Sequence, residues 1–287
     1  MASASDAPVL ADNRASDAPV LAGIGPEDAL PVARVAARVA AAQRRSLHLL
    51  HAFNWAAMAA PAVSGSRADA ERLISEAAEA VRLSEPDVPL TTEIIEGSAV
   101  ANLVRKSESA FLVAVGDGGM AHCDRCIPAD SAAVQVAARA DCPVLVVRRE
   151  PPPQGPVLVG LDGSAPAEIA LAWAFAAAED LRARLLAIWV VETEAAIGTA
   201  THRLHELVGR VGADRSETTA ECHVICGDPG TVLVDQSRSA QLTVVAARGD
   251  EPWRGMLGAV SQALLYHAPS PVIVVRGVTG APGADGS

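Results

Sequence analysis

"PVLVGLDGSAPAEIALAWAFAAAEDLRARLLAIWVVE", residues 156–192, opens on a short apolar run, turns at "DGS", and continues through an alanine-rich stretch. It then passes a basic pair, Arg182 and Arg184, into a second apolar run. The pattern is strand, turn, helix, strand, with the break placed at the residues that best interrupt a strand and start a helix. Cations at the helix's carboxyl end complement its dipole. Elsewhere in the chain "VLVV" (144–147) and "VIVV" (272–275) are apolar throughout, as strands covered on both faces are.

The same layout stands earlier in the chain. "PVLAGIGPEDALPVARVAARVAAAQRRSLHLLHAFNW", residues 19–55, repeats the apolar start, the turn, the alanine-rich helix with its basic end (Arg44, Arg45) and the second strand. The endings correspond too: "FLVAVGDGG" and "SAAVQVAARADCPVLVVRR" within 111–149 match "LTVVAARGD" and "VSQALLYHAPSPVIVVR" within 242–276. Between them lie charged amphipathic helices over about 66–83 and 195–212, then a strand, a "GS" or "GDPG" turn and a short helix. Strands alternating with helices give βαβ units and a parallel sheet with helices on both faces. The fold expected is therefore α/β, two Rossmann-like domains produced by internal duplication. Their bounds are 18–148 and 156–276, joined by the proline-rich linker "REPPPQG" at 149–155. Residues 1–17, where "ASDAPVLA" at 4–11 recurs at 15–22, and the glycine-rich residues 277–287 are expected to be disordered tails.

Half of the 287 residues are hydrophobic but only 3% are aromatic, so the core must be built from Ala, Val, Leu and Ile. A net charge of −11 opposes nucleic-acid binding, which needs clustered cations against phosphate. No apolar run approaches the ~18 residues of a membrane span, and the amino terminus lacks a secretory pattern. A cytoplasmic protein is expected, and the five cysteines fit a reducing compartment.

"VLVGLDGS" (157–164), "GDPG" (227–230) and "GAVSQALLYHAPSPVIVVR" (258–276) resemble the universal stress protein family in its tandem two-domain form, over about residues 18–276. The resemblance implies a five-stranded parallel sheet in each domain, ordered 3-2-1-4-5. It implies a non-catalytic stress-response regulator with an unidentified regulatory protein partner. It also implies last strands that pair antiparallel between domains, hence a homodimer through those strands. Many members bind ATP, which makes ATP the cofactor to test.

On the family's pattern, Asp162 accepts hydrogen bonds from the nucleoside and Val190 offers a backbone contact to adenine. A second reading of "DGS" is an ordinary strand-to-helix turn with Ser164 as the N-cap. The family's phosphate loop, G-x2-G-x9-G-[ST], is kept in part. Ala246 replaces the first glycine, Gly249 and Gly258 remain one residue closer together, and Ala259 replaces the hydroxyl residue. Val260 and Ser261 still match, with Ser261 positioned to donate to a phosphate. Asp250 and Glu251 oppose an anion, while Arg248 and Arg254 favour it. One lost hydrogen bond to a charged phosphate costs about 1.5–3 kcal/mol, so the loop predicts weakened binding of ATP.

In the first half Gly25, Pro26 and Glu27 stand where Asp162 and its turn stand in the second, and Asp130 replaces the helix-opening glycine. Gly116 and Gly119 persist, but Asp117, Asp124 and Asp130 face one cation, Arg125, which makes a poor ATP site. "HCDRC" (122–126) reads either as a variable loop with incidental thiols or, through Cys123 and Cys126, as a thiol-redox or metal sensor. Cys142 is expected to be buried, Cys222 and Cys226 to share one face of a strand, and His202 and His205 to be solvated. ATP hydrolysis is disfavoured, since neither an activated nucleophile nor a phosphate-gripping lysine is in reach.

Overall fold

The computed structural model describes residues 17–53, 67–118, 131–151, 154–215, 217–249 and 255–276. The first half runs β1 (Val20–Gly23), α1 (Ala29–Ala42), β2 (Leu47–Phe53), α2 (Arg67–Ser84), β3 (Leu90–Glu96), α3 (Ala99–Ser107), β4 (Leu112–Gly116), α4 (Ala132–Arg139) and β5 (Val144–Val147). The second repeats it as β6 (Val157–Leu161), α5 (Ala165–Asp180), β7 (Leu185–Val191), α6 (Ile197–Val211), β8 (Ala220–Cys226), α7 (Pro229–Ser237), β9 (Leu242–Ala246), α8 (Ala259–His267) and β10 (Val272–Val275).

All these strands form one sheet, ordered β3-β2-β1-β4-β5-β10-β9-β6-β7-β8. Each half has the doubly wound order expected of it, and every pairing within a half is parallel. The single antiparallel pairing joins the halves, with Val146 opposite Val272, Leu145 opposite Ile273 and Val144 opposite Val274. Apolar runs explain the central strands: all four residues of β5 and of β10 are buried. Alanine at helical spacing explains the cover. In α1 the buried face is Ala29, Val32, Ala33, Ala36, Ala37 and Ala40, small side chains that let the helix lie close to the sheet. The apolar layer on each face of the sheet contains residues of both halves.

The pairing of β5 with β10 corrects the expectation of a homodimer through the last strands. A strand has two hydrogen-bonding edges; β5 uses them for β4 and β10, and β10 uses them for β9 and β5. No edge of either strand is left for a second copy. Among the described residues no helix is long and apolar enough to cross a membrane.

Two arginines at corresponding strand ends brace this seam. Arg148, buried just past β5, reaches into the second half and donates to the carbonyls of Leu264 (3.1 Å), Leu265 (2.7 Å) and Ser270 (3.3 Å). It thereby caps the last turn of α8 while pairing with Asp117 at 3.2 Å. Arg276, past β10, does the converse, donating to the carbonyls of Ala137 and Ala138 at the end of α4. A guanidinium at a helix carboxyl end meets both unpaired carbonyls and the negative end of the dipole. Burial pulls the Arg148 pKa down, and Asp117 beside it works the other way. On the other face Gln43 donates to Asp180 at 2.6 Å, and Phe111 packs on Trp173 with ring centres 5.0 Å apart.

The basic helix ends seen in sequence have a further role. Arg44 and Arg182 hold left-handed backbone, φ 50° and 49°, immediately past α1 and α5. The amides of Arg45 and Ala183 close back onto Ala40 and Ala178, and those of Arg44 and Arg182 onto Ala41 and Glu179. This is the Schellman ending, in which glycine normally takes the left-handed position.

Two outcomes follow. Arg148→Met removes the ion pair with buried Asp117 and the donor to three carbonyls of the second half, and lowers unfolding free energy by about 3–5 kcal/mol in urea titration. Arg182→Gly relieves the left-handed strain and raises it by up to about 1 kcal/mol in the same measurement.

Candidate functional site

In an open α/β sheet the crevice beyond the strands' carboxyl ends lies where the strand order reverses. In the second half that point falls between β6, which is followed by Asp162, and β9, which is followed by the loop holding Arg248 and Gly249. The fold brings these segments together: a side chain on Gly249 would begin 3.2 Å from Asp162 Oδ2. Asp162 Oδ1 accepts from the Ser164 amide (3.0 Å) and hydroxyl (2.6 Å), and Ser164 Oγ accepts from the Ala167 amide (3.4 Å) as the N-cap of α5. The turn role and the exposed carboxylate therefore coexist, with one oxygen holding the turn and the other facing Gly249.

The loop after β9 is tied at both ends to one atom. The Ala247 carbonyl accepts from the Gly258 amide at 2.8 Å and from the Ser261 hydroxyl at 2.9 Å. Ser261 is 1% exposed and also donates to the Gly258 carbonyl at 2.9 Å. Its hydroxyl proton points inward, so the expected donation from that hydroxyl to a phosphate does not stand; its place is to clamp the loop. Gly258 is the N-cap residue of α8 and has no side chain to occupy the first-turn amides, which by helix geometry lack intrahelical partners. Half-buried Arg248 runs its stem beside Gly258, its Cγ 3.5 Å from where a side chain there would start. Ala246 is the last residue of β9, paired with Val275, and is not among the residues with positive φ. Replacing the family's glycine there costs no backbone strain.

Val190 lies at the end of β7 opposite Ile225, its side chain packed into the apolar layer with Val260. The sequence reading passed over its neighbour Trp189, whose ring covers Gly163: a side chain there would start 2.5 Å from the indole. Gly163 also has φ +80°, so the turn after Asp162 demands glycine for both reasons. A rare aromatic in "IWVV" beside "DGS" was the available signal.

A cleft of ≈ 650 Å³ lies elsewhere, between the halves, and is lined by Arg148, Arg149, Arg238, Tyr266 and His267 among others. Its guanidiniums already have carboxylate partners: Asp117 for Arg148, Asp28 and Glu27 for Arg149, and Asp235 for Arg238. None of the expected nucleotide-site residues lines it.

Cys142 is buried, and Cys222 and Cys226 lie on β8, Cys226 exposed. Burial pushes the Cys222 thiol up. Among the described residues no cluster of His, Cys, Asp and Glu is placed to hold a metal. His122, Cys123 and Cys126 fall outside the described residues, as do Asp250, Glu251 and Arg254.

Ser261→Ala is expected to cost about 1 kcal/mol in chemical denaturation, by leaving the Ala247 carbonyl one donor short.

Comparison with known proteins agrees with this architecture. The model of the universal stress protein family matches the chain twice, over residues 18–148 and 155–276. The chain is 34% identical over 226 residues to Universal stress protein Rv2005c of Mycobacterium tuberculosis, covering 73% of this chain and 75% of that protein. It is 34% identical over 225 residues to Universal stress protein Rv2623 of the same organism, covering 72% and 74%. The crystal structure of a universal stress protein from Archaeoglobus fulgidus superposes with a TM-score of 0.68 at 18% identity, covering 91% of this chain and 96% of that one. With both halves matched and the doubly wound order repeated in one sheet, the chain belongs to the universal stress protein family, in tandem form.

Proposed function

We propose that the chain is a non-catalytic stress-response protein whose second half takes an adenine nucleotide, ATP, with reduced affinity. The observation carrying this reading is the meeting of Asp162 Oδ2 with Gly249 at the switch point between β6 and β9. An exposed carboxylate is an acceptor pair for ribose hydroxyls. Gly249 carries no covering side chain, Gly258 leaves the first-turn amides of α8 uncovered, and the amino end of α8 favours negative charge. The site residues assigned to it are Asp162, the Val190 backbone, Arg248, Gly249, Gly258 and the first-turn amides of Val260 and Ser261. The Ser261 hydroxyl is withdrawn from the set and keeps the loop closed instead.

The reduced affinity follows from what the loop lacks. Ala259 carries no hydroxyl and the Ser261 hydroxyl is engaged, so phosphate receives backbone amides and Arg248 but no side-chain hydroxyl. The weakest expected contact is the adenine end, where Val190 contributes backbone alone. Signal output is assigned to a protein partner, since a ligand touching both the β6 turn and the β9 loop alters the exposed surface at that end of the sheet.

Isothermal titration with ATP tests the site directly. The wild type is expected to release heat with saturation at one equivalent, and Asp162→Ala to bind at least about tenfold more weakly, the effect of one charged hydrogen bond. Equal heats for the two proteins, or none for either, would remove the nucleotide claim and leave the fold untouched.

A further inference from the structure

The register of β1 on β4, Val20 opposite Leu112, repeats in β6 on β9, Val157 opposite Leu242. Gly116 thus answers to Ala246, Gly118 to Arg248, and Asp28 to Ala165. In the second half Ala165 is exposed. In the first half Asp28 is 5% exposed, and its carboxylate is folded onto the β4 loop. Oδ2 accepts from the Gly118 amide at 3.0 Å, and Oδ1 accepts from Arg149 Nε at 3.3 Å. Arg149 also donates to the Glu27 carbonyl at 3.1 Å.

Two glycines are shaped around this carboxylate. A side chain at Gly116 would start 2.5 Å from Asp28 Cβ and Oδ2, and Gly118 holds φ +62°. Asp28 stands at the N-cap of α1 yet makes no side-chain cap bond, so its carboxylate does not serve the helix. A buried oxyanion held by a loop amide in left-handed backbone and by a guanidinium has the contacts of a phosphate site.

We propose that the Gly116–Gly118 turn and Arg149 form an anion-binding nest that the chain keeps filled with its own Asp28 carboxylate. The ligand class it would otherwise accept is a phosphoryl oxyanion. Self-filling closes the first half to such ligands and fastens the segment after β5 to the turn that follows β1. Nucleotide binding by the second half is a separate matter, because Gly118 and Arg149 report on the first half alone.

The test is Asp28→Ser, which empties the nest and leaves a residue that caps helices well. Inorganic phosphate is titrated while the Gly118 amide and the Arg149 Nε–H are followed by ¹⁵N NMR. The variant is expected to show a saturable millimolar shift at both signals, with the Gly118 shift lost in Asp28→Ser/Arg149→Ala, while the wild type stays unresponsive. A variant silent at Gly118, or a wild type that responds equally, overturns the proposal. Should the serine variant not fold, Asp28→Asn keeps the side-chain volume and the acceptor for Gly118 but removes the charge facing Arg149. Phosphate is then expected to move the Arg149 signal and not that of Gly118, and a stationary Arg149 signal overturns the proposal equally.

Discussion

A strand in a sheet has two hydrogen-bonding edges, and the antiparallel contact of β5 with β10 uses the last of them at the middle of this molecule. From that contact follow the single sheet, the apolar layers that run across both halves, and the reciprocal reach of Arg148 and Arg276. Separating the halves would turn two wholly apolar strands into exposed edges, which is an invitation to aggregate. It would also strip the carbonyls at the end of α8 of the donor that Arg148 supplies from the first half. Four buried residues on each strand, buried Arg148 and half-buried Arg276 tie the two halves together.

The duplicated halves differ most where their chemistry would be. Both set a carboxylate from the first strand's turn against a glycine of the fourth strand's loop. In the second half Asp162 is exposed and keeps one oxygen in its turn, so the other faces outward past Gly249. In the first half Asp28 comes three residues later, buries itself and takes both a loop amide and a guanidinium. Substitution of a few residues has moved one copy from offering a carboxylate to consuming it.

Much of the fold was readable in the sequence because it is carried by short-range pattern: wholly apolar strands such as "VLVV" and "VIVV", alanine stripes, and the repeated turn chemistry of "DGS" and "GDPG". The placement of Asp162 and Gly249 was legible too, since both follow the carboxyl ends of strands that the topology makes neighbours. The misses have physical causes. The pairing of last strands was foreseen, but backbone edges carry no label distinguishing a second copy from the other half of the same chain. The Ser261 hydroxyl faces inward because the tied loop puts the Ala247 carbonyl within its reach, a contact across 14 residues. Asp28 lies three positions past the aligned Gly25, and a single turn of backbone (φ −125°, ψ 15°) is what swings it into the loop. Trp189 over Gly163 is a contact between strand end and turn that periodicity does not encode.

One consequence of the lone antiparallel seam concerns direction. All strands of one half run opposite to all strands of the other, so the carboxyl ends of β1 and β4 and those of β6 and β9 lie at opposite poles of the sheet. The self-filled nest occupies one pole and the Asp162 crevice the other. A small ligand can therefore address only one pole at a time. Duplication has given this chain not two equivalent ports but a polarity.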